Sequence, residues 1–189
     1  MPEIPKIFVI GMFKTGLAST ELAFYKLGYR VFRNNPFFLL KWFDKDIMVS
    51  NGEYLDETQY NSDIIEAMNR FDVGSHHPFM FIYPWLDTTF PNSKFILTQR
   101  DVGHVIKSTM NQIKYVKDFR SIYSEDKIAS RYLSHQSSVI DYFKGSKNLL
   151  TMNYEQGDGW GKLCEFLNIP APKTDFPHDH KGDYTPENS

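Results

Sequence analysis

The chain has 189 residues, enough for one domain with a sizeable core, and we predict a single domain over 1–189 with a loosely ordered tail from about 175. Hydrophobic residues make up 41% and charged residues 23% of the chain, which excludes a largely disordered protein. The net charge of −2 argues against a nucleic-acid partner, so any anion-binding site must be local.

The cysteine content and the N-terminal segment favour a cytoplasmic location. Cys164 is the single cysteine, so no intrachain disulfide can form, and its place in "KLCEFL" predicts a small core residue. The apolar run in "MPEIPKIFVIGMFK" is flanked by charges and a glycine and is too short for a signal or membrane segment. We therefore expect a reducing, cytoplasmic setting without a membrane partner.

Strands and helices alternate in the first half of the chain. The predicted elements are a strand over 6–12, a helix over 19–28, a short strand over 29–32, an apolar helix or lid over 34–46, a loop over 48–61, a helix over 62–71 and a strand over 71–75. The run "KIFVIGM" lacks alternation, as expected of a strand covered on both faces. We expect Ser19 or Thr20 near the start of the first helix, Gly28 at its end, and Ser62 as the N-cap of the next, with an incomplete capping box.

The second half continues the alternation. The predicted elements are a short helix and turn over 84–93, a buried strand over 94–100, a helix over 101–119, a helix over 124–145, a strand over 148–154 and a helix over 158–169. Asp101 and Ser124 are the expected N-caps, and Gly145 is the expected stop of the longer helix. This order predicts an α/β protein, a three-layer sandwich with a mainly parallel sheet of four to five strands.

Chemically distinctive residues follow three of the predicted strands. Lys14 follows the first, the pair His76 and His77 follows the third, and Arg100 ends the strand over 94–100. Because parallel sheets bind ligands at the carboxyl ends of their strands, we expect these residues to converge.

The loop after the first strand, "GMFKTG", has the spacing of a phosphate-binding loop but not its full pattern. A nucleoside-triphosphatase loop reads G-x-x-x-x-G-K-[ST], whereas Lys14 precedes the second glycine, Gly16, and Leu17 and Ala18 follow it. Backbone N–H groups and the following helix N-terminus would hold an anion, with Lys14 as a point charge. The alternative is a strand–helix turn without a ligand.

Arg100 stands where a magnesium-binding carboxylate would be needed for ATP chemistry. We find no suitable magnesium ligands, and Asp101 is better used as a helix cap. Two separated cationic sites without metal ligands suit a nucleotide that carries phosphates at two positions. For Arg100 alone, a surface ion pair is the alternative.

The pattern resembles the sulfotransferase superfamily, a group with a P-loop nucleotide-hydrolase-like fold that uses 3′-phosphoadenosine 5′-phosphosulfate (PAPS). The family's first loop has the form [KR]-[ST]-G-T-T-[SW], and "KTGLAS" matches it at Lys14, Thr15, Gly16 and Ser19. Its second loop pairs an arginine with a serine eight positions on, as in "RDVGHVIKS". The segments "FPNSKFILTQRD" and "DGWGKLCEFLNIPAP" followed by "FPH" also resemble the family, so the likeness runs from Lys6 to about His178.

The resemblance implies a role for each site residue. Lys14 would neutralise charge on the oxygen left on the nucleotide, and the donor would also contact Thr15, Gly16, Leu17, Ala18 and Ser19. Arg100 and Ser108 would bind the 3′-phosphate. Many members use a histidine base near a proline upstream of the arginine; His76, in "SHHP", is 24 residues before Arg100, with His77 as the close second.

Several positions depart from the family pattern. Leu17 and Ala18 replace paired threonines, so their hydroxyl contacts to the donor are lost, and Ser19 replaces an aromatic residue that stacks on adenine in some branches. The aromatic stretches "FFLLKWF" and "FMFIYPW" predict an acceptor pocket involving Phe37, Phe38, Trp42 and Phe79, with core packing as the alternative.

These observations predict a sulfotransferase that moves a sulfuryl group from PAPS to a hydroxyl or amine of a small molecule and leaves 3′-phosphoadenosine 5′-phosphate, with no metal. Two alternatives stay open: a non-catalytic sulfotransferase-like domain that binds a nucleotide or a protein, and a P-loop small-molecule or nucleotide kinase. A homodimer is compatible with the sequence, although nothing in it marks an interface.

Overall fold

The computed structural model describes residues 5–33, 57–76, 78–113 and 124–178. In these ranges, five parallel strands form one sheet in the order β2–β3–β1–β4–β5. The strands are β1 (Ile7–Val9), β2 (Val31–Arg33), β3 (Val73–Ser75), β4 (Lys94–Thr98) and β5 (Leu149–Met152). The predicted α/β class and parallel sheet are therefore confirmed.

Helices connect the strands. They are α1 (Leu17–Lys26), α2 (Glu57–Arg70), α3 (Tyr83–Thr89), α4 (Val102–Ile113), α5 (Glu125–Tyr142) and α6 (Trp160–Leu167), with a short 3₁₀ helix over Tyr154–Gln156 after β5. No helix among the described residues has the length and apolar character needed to cross a membrane.

Both faces of β1 are covered, which explains its unbroken apolar sequence. Ile7 and Val9 pack into one hydrophobic cluster together with residues of α1 and α6. Phe8 and Ile10 pack into a second cluster with residues of α2, α3 and α5. Alternate side chains of a strand point to opposite faces of the sheet, so the two clusters define the three layers. Cys164 belongs to the first cluster and is 2% exposed, as predicted for a small core residue.

Aromatic side chains fill much of the second cluster. Phe79 is fully buried and packs on Phe8 and Phe32, with ring centroids 5.7 and 5.9 Å away. Gly74 on β3 makes room for it, because a Cβ there would lie 2.6 Å from a ring carbon of Phe79. Phe79 therefore serves core packing, the alternative to its predicted role in an acceptor pocket.

Two helices begin earlier than predicted, α1 at 17 instead of 19 and α2 at 57 instead of 62. Helix α1 begins at Leu17 with Gly16 as its N-cap, so Ser19 and Thr20 lie inside the helix and are buried. Helix α2 begins at Glu57 within the predicted loop, and Ser62 is an interior residue. In α1 the left-handed Gly16 ends the loop without a side-chain cap, a conformation that the Ser/Thr capping rule does not address.

Other predicted helix ends are confirmed. The carboxylate of Asp101 accepts a hydrogen bond from the His104 N–H at the start of α4. Ser124 caps α5 by accepting from the Lys127 N–H, and Gly28 follows the end of α1 with φ 83°. The predicted helix over 101–119 is described only to Ile113, and the apolar segment over 34–46 lies outside the described residues.

A partly buried histidine on helix α5 contacts the end of β1. His135 Nε2 lies 2.7 Å from the carbonyl oxygen of Ile10, and aromatic rings of Phe81 and Tyr83 contact the imidazole. Burial lowers the pKa of His135, although the hydrogen bond to Ile10 acts in the opposite direction. The ring is thus a neutral donor that holds α5 against the strand preceding the loop.

The shifted pKa of His135 predicts a pH-dependent stability. Its folded-state pKa lies below the unfolded value, so the unfolded chain binds the proton more readily, and the free energy of unfolding falls as pH drops below about 6.5 and towards the folded-state pKa. We expect His135→Gln to be less pH-sensitive than the parent in urea unfolding between about pH 7.5 and 5.5. His178→Gln, at an exposed position, is the matched control, and equal slopes for parent and His135→Gln would contradict this account.

Candidate active site

The ends of four parallel strands meet at one edge of the sheet, and the predicted site residues lie there. The loop over 10–16 follows β1, His76 follows β3, Arg100 follows β4, and the 3₁₀ helix follows β5. Lys14 and Arg100 are in direct contact, because Arg100 Nη1 donates to the Lys14 carbonyl oxygen at 3.1 Å. His76 reaches the same region through α1, as described below.

The Thr15 side chain forms two hydrogen bonds that hold the loop over 10–16 in place. Its hydroxyl donates to the Met12 carbonyl oxygen at 2.5 Å and accepts from the Thr98 hydroxyl at 2.5 Å. Thr15 is only 2% exposed. A ligand at this loop would therefore meet the backbone amide of Thr15 rather than its hydroxyl.

Both loop glycines are required by close packing. A Cβ at Gly11 would lie 1.8 Å from Thr98 Oγ1, and a Cβ at Gly16 would lie 2.5 Å from a ring carbon of Tyr154. Gly16 also has φ 102°, in the left-handed region that glycine adopts without strain. Lys14 has φ 68° as well, so the chain turns sharply twice within three residues.

The N-terminus of α1 has the features of an anion-binding site. Gly16 provides no side-chain cap, and the first turn contains no acidic residue. The first N–H groups of a helix have no intrahelical acceptors and lie at the positive end of its dipole. Leu17 and Ser19 are buried, at 4% and 6% exposure, whereas Ala18 is partly exposed. Backbone amides therefore dominate the polar character of this helix end.

Tyr154, in the 3₁₀ helix after β5, is connected to the loop by hydrogen bonds through Thr20. Its hydroxyl donates to Thr20 Oγ1 at 2.5 Å, and Thr20 in turn donates to the Gly16 carbonyl oxygen at 3.0 Å. Burial raises the pKa of Tyr154, so the phenol stays a hydrogen-bond donor. Its ring stacks on Phe176, with centroids 5.1 Å apart, which joins the C-terminal segment to the loop.

Arg100 is held through its backbone and its side chain. The Tyr132 hydroxyl accepts from the Arg100 N–H at 2.8 Å and donates to its carbonyl oxygen at 2.7 Å. The guanidinium donates from Nε to Glu155 Oε1 at 2.8 Å, in addition to its contact with Lys14. A guanidinium carries five N–H groups, so these two bonds use a minority of its donors. Arg100 therefore forms the ion pair that was the alternative interpretation, and its guanidinium still has N–H groups for a further anion.

Glu155 is the acidic centre of this cluster. It also accepts from the Asp101 N–H at 3.3 Å and lies 2.9 Å from His104 Nδ1. Partial burial alone would raise the pKa of Glu155, but the hydrogen bonds from Arg100, Asp101 and His104 outweigh it and lower the pKa. Glu155 is therefore an anion that already occupies part of the Arg100 guanidinium. His104 is an exposed residue on α4.

Ser108, the predicted partner of Arg100, lies on α4 two turns beyond it and is partly buried. The predicted residues His77, Phe37, Phe38 and Trp42 lie outside the described residues. Within the described part of the chain, no group of three or more His, Cys, Asp or Glu side chains is arranged to hold a metal ion.

His76 directly follows β3 and has a left-handed conformation, with φ 70°. Its Nδ1 lies 2.5 Å from Oε1 of Glu21, a residue of α1. The His76 side chain is 23% exposed and that of Glu21 is 2% exposed. The candidate base is therefore paired with a carboxylate on the helix that follows the phosphate-binding loop.

Sequence reasoning did not identify four residues of this site, Glu21, Tyr132, Tyr154 and Glu155. Helical spacing contained a signal for the first, since Glu21 follows Leu17 by four positions and precedes Phe24 by three, on the buried face of α1. The other three depend on contacts between distant segments, which periodicity does not report.

Comparisons with known proteins agree with this architecture. The family model described as a sulfotransferase domain matches residues 6–124 and 115–184. The "Ava biosynthesis cluster protein M" of Aspergillus versicolor is 22% identical over 209 residues, which cover 92% of this chain and 80% of that protein. The family match spans most of the chain, whereas the identity to this relative is low. The chain therefore belongs to the sulfotransferase domain family, as a divergent member.

Proposed function

We propose that the protein transfers a sulfuryl group from PAPS to a hydroxyl or amine of a small-molecule acceptor. The observation that carries this proposal is the contact between Arg100 Nη1 and the Lys14 carbonyl oxygen, 3.1 Å long, beside the uncapped N-terminus of α1. It joins two cationic residues and a set of backbone dipoles at one strand edge, which suits a nucleotide with anionic groups at two positions.

The loop would receive the 5′-phosphosulfate end of the donor. First-turn amides of α1 supply fixed dipoles there, and the Lys14 ammonium is placed on the same loop. During transfer, negative charge builds on the oxygen that stays with the nucleotide, and Lys14 would stabilise that charge. Since Leu17 is a core residue and Thr15 is bonded internally, binding at the loop would rest on backbone amides and Lys14 rather than on loop hydroxyls.

Arg100 would bind the 3′-phosphate with the N–H groups that its contacts to Lys14 and Glu155 leave available. Ser108, which is partly buried on α4, would add a hydroxyl. His76 would take the proton of the attacking hydroxyl or amine, as a histidine base does near neutral pH. His77 remains the second candidate for this role.

The relative is named as a biosynthesis cluster protein, which supports a small-molecule acceptor rather than a macromolecular one. Phe37, Phe38 and Trp42 remain the candidates for an acceptor pocket. Nothing in the described residues favours nucleic acid or membrane as a partner, and we propose a cytoplasmic enzyme that needs no metal.

A second candidate function is a non-catalytic sulfotransferase-like domain that binds a nucleotide or a protein. Two observations favour it: Leu17 replaces a loop hydroxyl with a buried apolar side chain, and Glu155 already occupies the Arg100 guanidinium. The two candidates agree on the binding site and differ only on turnover.

Donor binding is tested first by calorimetric titration with 3′-phosphoadenosine 5′-phosphate without magnesium. We expect binding in the micromolar range, and Arg100→Ala should weaken it about tenfold to a hundredfold, because charge-assisted hydrogen bonds to the phosphate are lost. Arg30→Ala is the matched control, since Arg30 is an exposed arginine paired with Asp72 at the opposite edge of the sheet. Tighter binding of ATP with magnesium than of the bisphosphate would favour the kinase alternative instead.

Glu155 provides an independent test of the phosphate position. Its carboxylate would lie beside the 3′-phosphate on the same guanidinium, and like charges at such short range repel each other. We expect Glu155→Gln, which keeps an oxygen acceptor for Arg100, to tighten bisphosphate binding by roughly tenfold at low salt, with a smaller gain at high salt. An unchanged dissociation constant in a folded variant would place the phosphate elsewhere.

Turnover separates the catalytic candidate from the binding one. With radiolabelled PAPS, we would follow sulfuryl transfer to 2-naphthol and sulfate release to water. Lys14→Ala should reduce the rate on the order of a hundredfold or more, and His76→Ala should reduce transfer by a similar factor. Lys26→Ala, in the exposed last turn of α1, is the control. Bisphosphate binding without any turnover by the parent protein would favour the non-catalytic domain.

A further inference from the structure

Glu21 is a buried carboxylate beside the candidate base. Its side chain is 2% exposed, whereas the next residue on α1, Leu22, is 38% exposed. Removing a carboxylate from water costs several kcal/mol unless opposite charge and hydrogen bonds compensate for it. An apolar side chain would pack at this position at a lower cost, so the role of Glu21 must lie in what it contacts.

Glu21 contacts the imidazole ring of His76. Oε1 of the carboxylate lies 2.5 Å from Nδ1, and the Ser75 hydroxyl lies 3.3 Å from the same nitrogen. The Nε2 atom is on the far side of the ring from this contact. The pair therefore has a buried member, Glu21, and a partly exposed member, His76, whose side chain is 23% exposed.

The backbone of His76 is held in an uncommon conformation. His76 has a φ of 70° and lies directly after β3, and its ring contacts Glu21 of α1. A non-glycine residue in the left-handed region costs about 1 kcal/mol or more, and such residues persist where the surrounding structure fixes them. The contact with Glu21 is a compensating interaction at this residue.

We propose that Glu21 is a positioning residue that keeps the His76 proton on Nδ1 and leaves the lone pair on Nε2, an inference that rests on the proposed sulfotransferase function. In a neutral imidazole, the group that faces one nitrogen decides which nitrogen carries the proton. A carboxylate oxygen 2.5 Å from Nδ1 brings negative charge and no proton, so it favours N–H over a lone pair at that nitrogen. The same logic fixes the histidine of the Ser-His-Asp hydrolases.

The proton and electron balance of the transfer is then complete. The acceptor oxygen forms a bond to sulfur while its proton moves to His76 Nε2. The bond from sulfur to the bridging oxygen breaks, and the electron pair leaves with 3′-phosphoadenosine 5′-phosphate. Glu21 stabilises the resulting imidazolium without taking the proton itself.

Helix α1 connects the base to the donor loop. Gly16 begins the helix at the loop, and Glu21 follows five residues later, about 7 Å along the helix axis. Thr20, next to Glu21, bonds both the Gly16 carbonyl and Tyr154. One rigid element therefore sets the distance between the donor loop and the carboxylate that orients the base, which is what in-line transfer requires.

A purely structural ion pair would give a different result on substitution. In that case, Glu21→Gln would lower stability and donor binding together, with no separate effect on the chemical step. A positioning role predicts that kcat falls by at least about tenfold, while the KM for PAPS and the affinity for the bisphosphate stay nearly unchanged. Glu66→Gln is the matched control, because Glu66 is an exposed helical glutamate paired with Arg70.

Nitrogen-15 NMR of histidine-labelled protein measures the tautomer of His76 directly, first in the parent protein and then in variants. At alkaline pH, the His76 ring of the parent protein should give the signals of the Nδ1–H tautomer, identified by their absence in His76→Asn. Glu21→Gln should change that tautomer ratio, whereas Glu66→Gln should not. An Nε2–H tautomer in the parent protein, or an unchanged kcat in folded Glu21→Gln, overturns the proposal.

Failure of the proposed function is distinguishable from failure of this inference. A parent protein that neither binds the bisphosphate nor turns over PAPS overturns the sulfotransferase proposal and, with it, the catalytic role of Glu21. The NMR result still decides whether the carboxylate sets the tautomer of His76.

Discussion

The close approach of β1 and β4 at their carboxyl ends is the constraint on which the candidate site depends. A side chain at Gly11 would collide with the Thr98 hydroxyl, so only glycine allows that hydroxyl to reach Thr15. This hydrogen bond draws the loop back over the strand edge. The return of the loop brings the Lys14 carbonyl within reach of Arg100, and it directs the N-terminus of α1 towards the same edge. Packing between two strands therefore fixes the position of the charged groups.

Two carboxylates balance the positive charge of this edge, and they act in different places. Glu155 contacts Arg100 and His104 on the exposed side of the edge, where a phosphate would compete with it. Glu21 is buried behind His76, where a donor phosphate would not displace it. An anionic ligand would therefore exchange with the first carboxylate and leave the second in place. Under the proposed function, this division would let the donor bind without disturbing the carboxylate beside His76.

Periodicity and strand-end rules predicted the layers, the parallel sheet and the convergence of Lys14 with Arg100, because these features depend on local pattern and on the general behaviour of parallel sheets. They did not predict that Gly16, rather than Ser19 or Thr20, is the N-cap of α1. The loop before this helix is held by contacts from distant segments, with Thr98 bonding Thr15 and Tyr154 linked through Thr20 to the Gly16 carbonyl. Helix α2 begins at Glu57, earlier than expected, because its first turns lack the apolar spacing on which the prediction relied. Contacts between segments far apart in sequence determine such details.

The structure explains one departure of this loop from the family pattern, the leucine at position 17. Leu17 replaces a residue type that offers a hydroxyl, and its side chain instead anchors the first turn of α1 in the core below the sheet edge. Anchoring the helix end fixes the direction of its free N–H groups, and pre-oriented dipoles stabilise charge without reorganisation. In the proposed function, this substitution would remove a side-chain contact to the donor while the placement of the backbone N–H groups is kept. Such a loop would hold the 5′ end of the donor through its backbone, and Arg100 and Lys14 would have to supply the charge that the proposal requires.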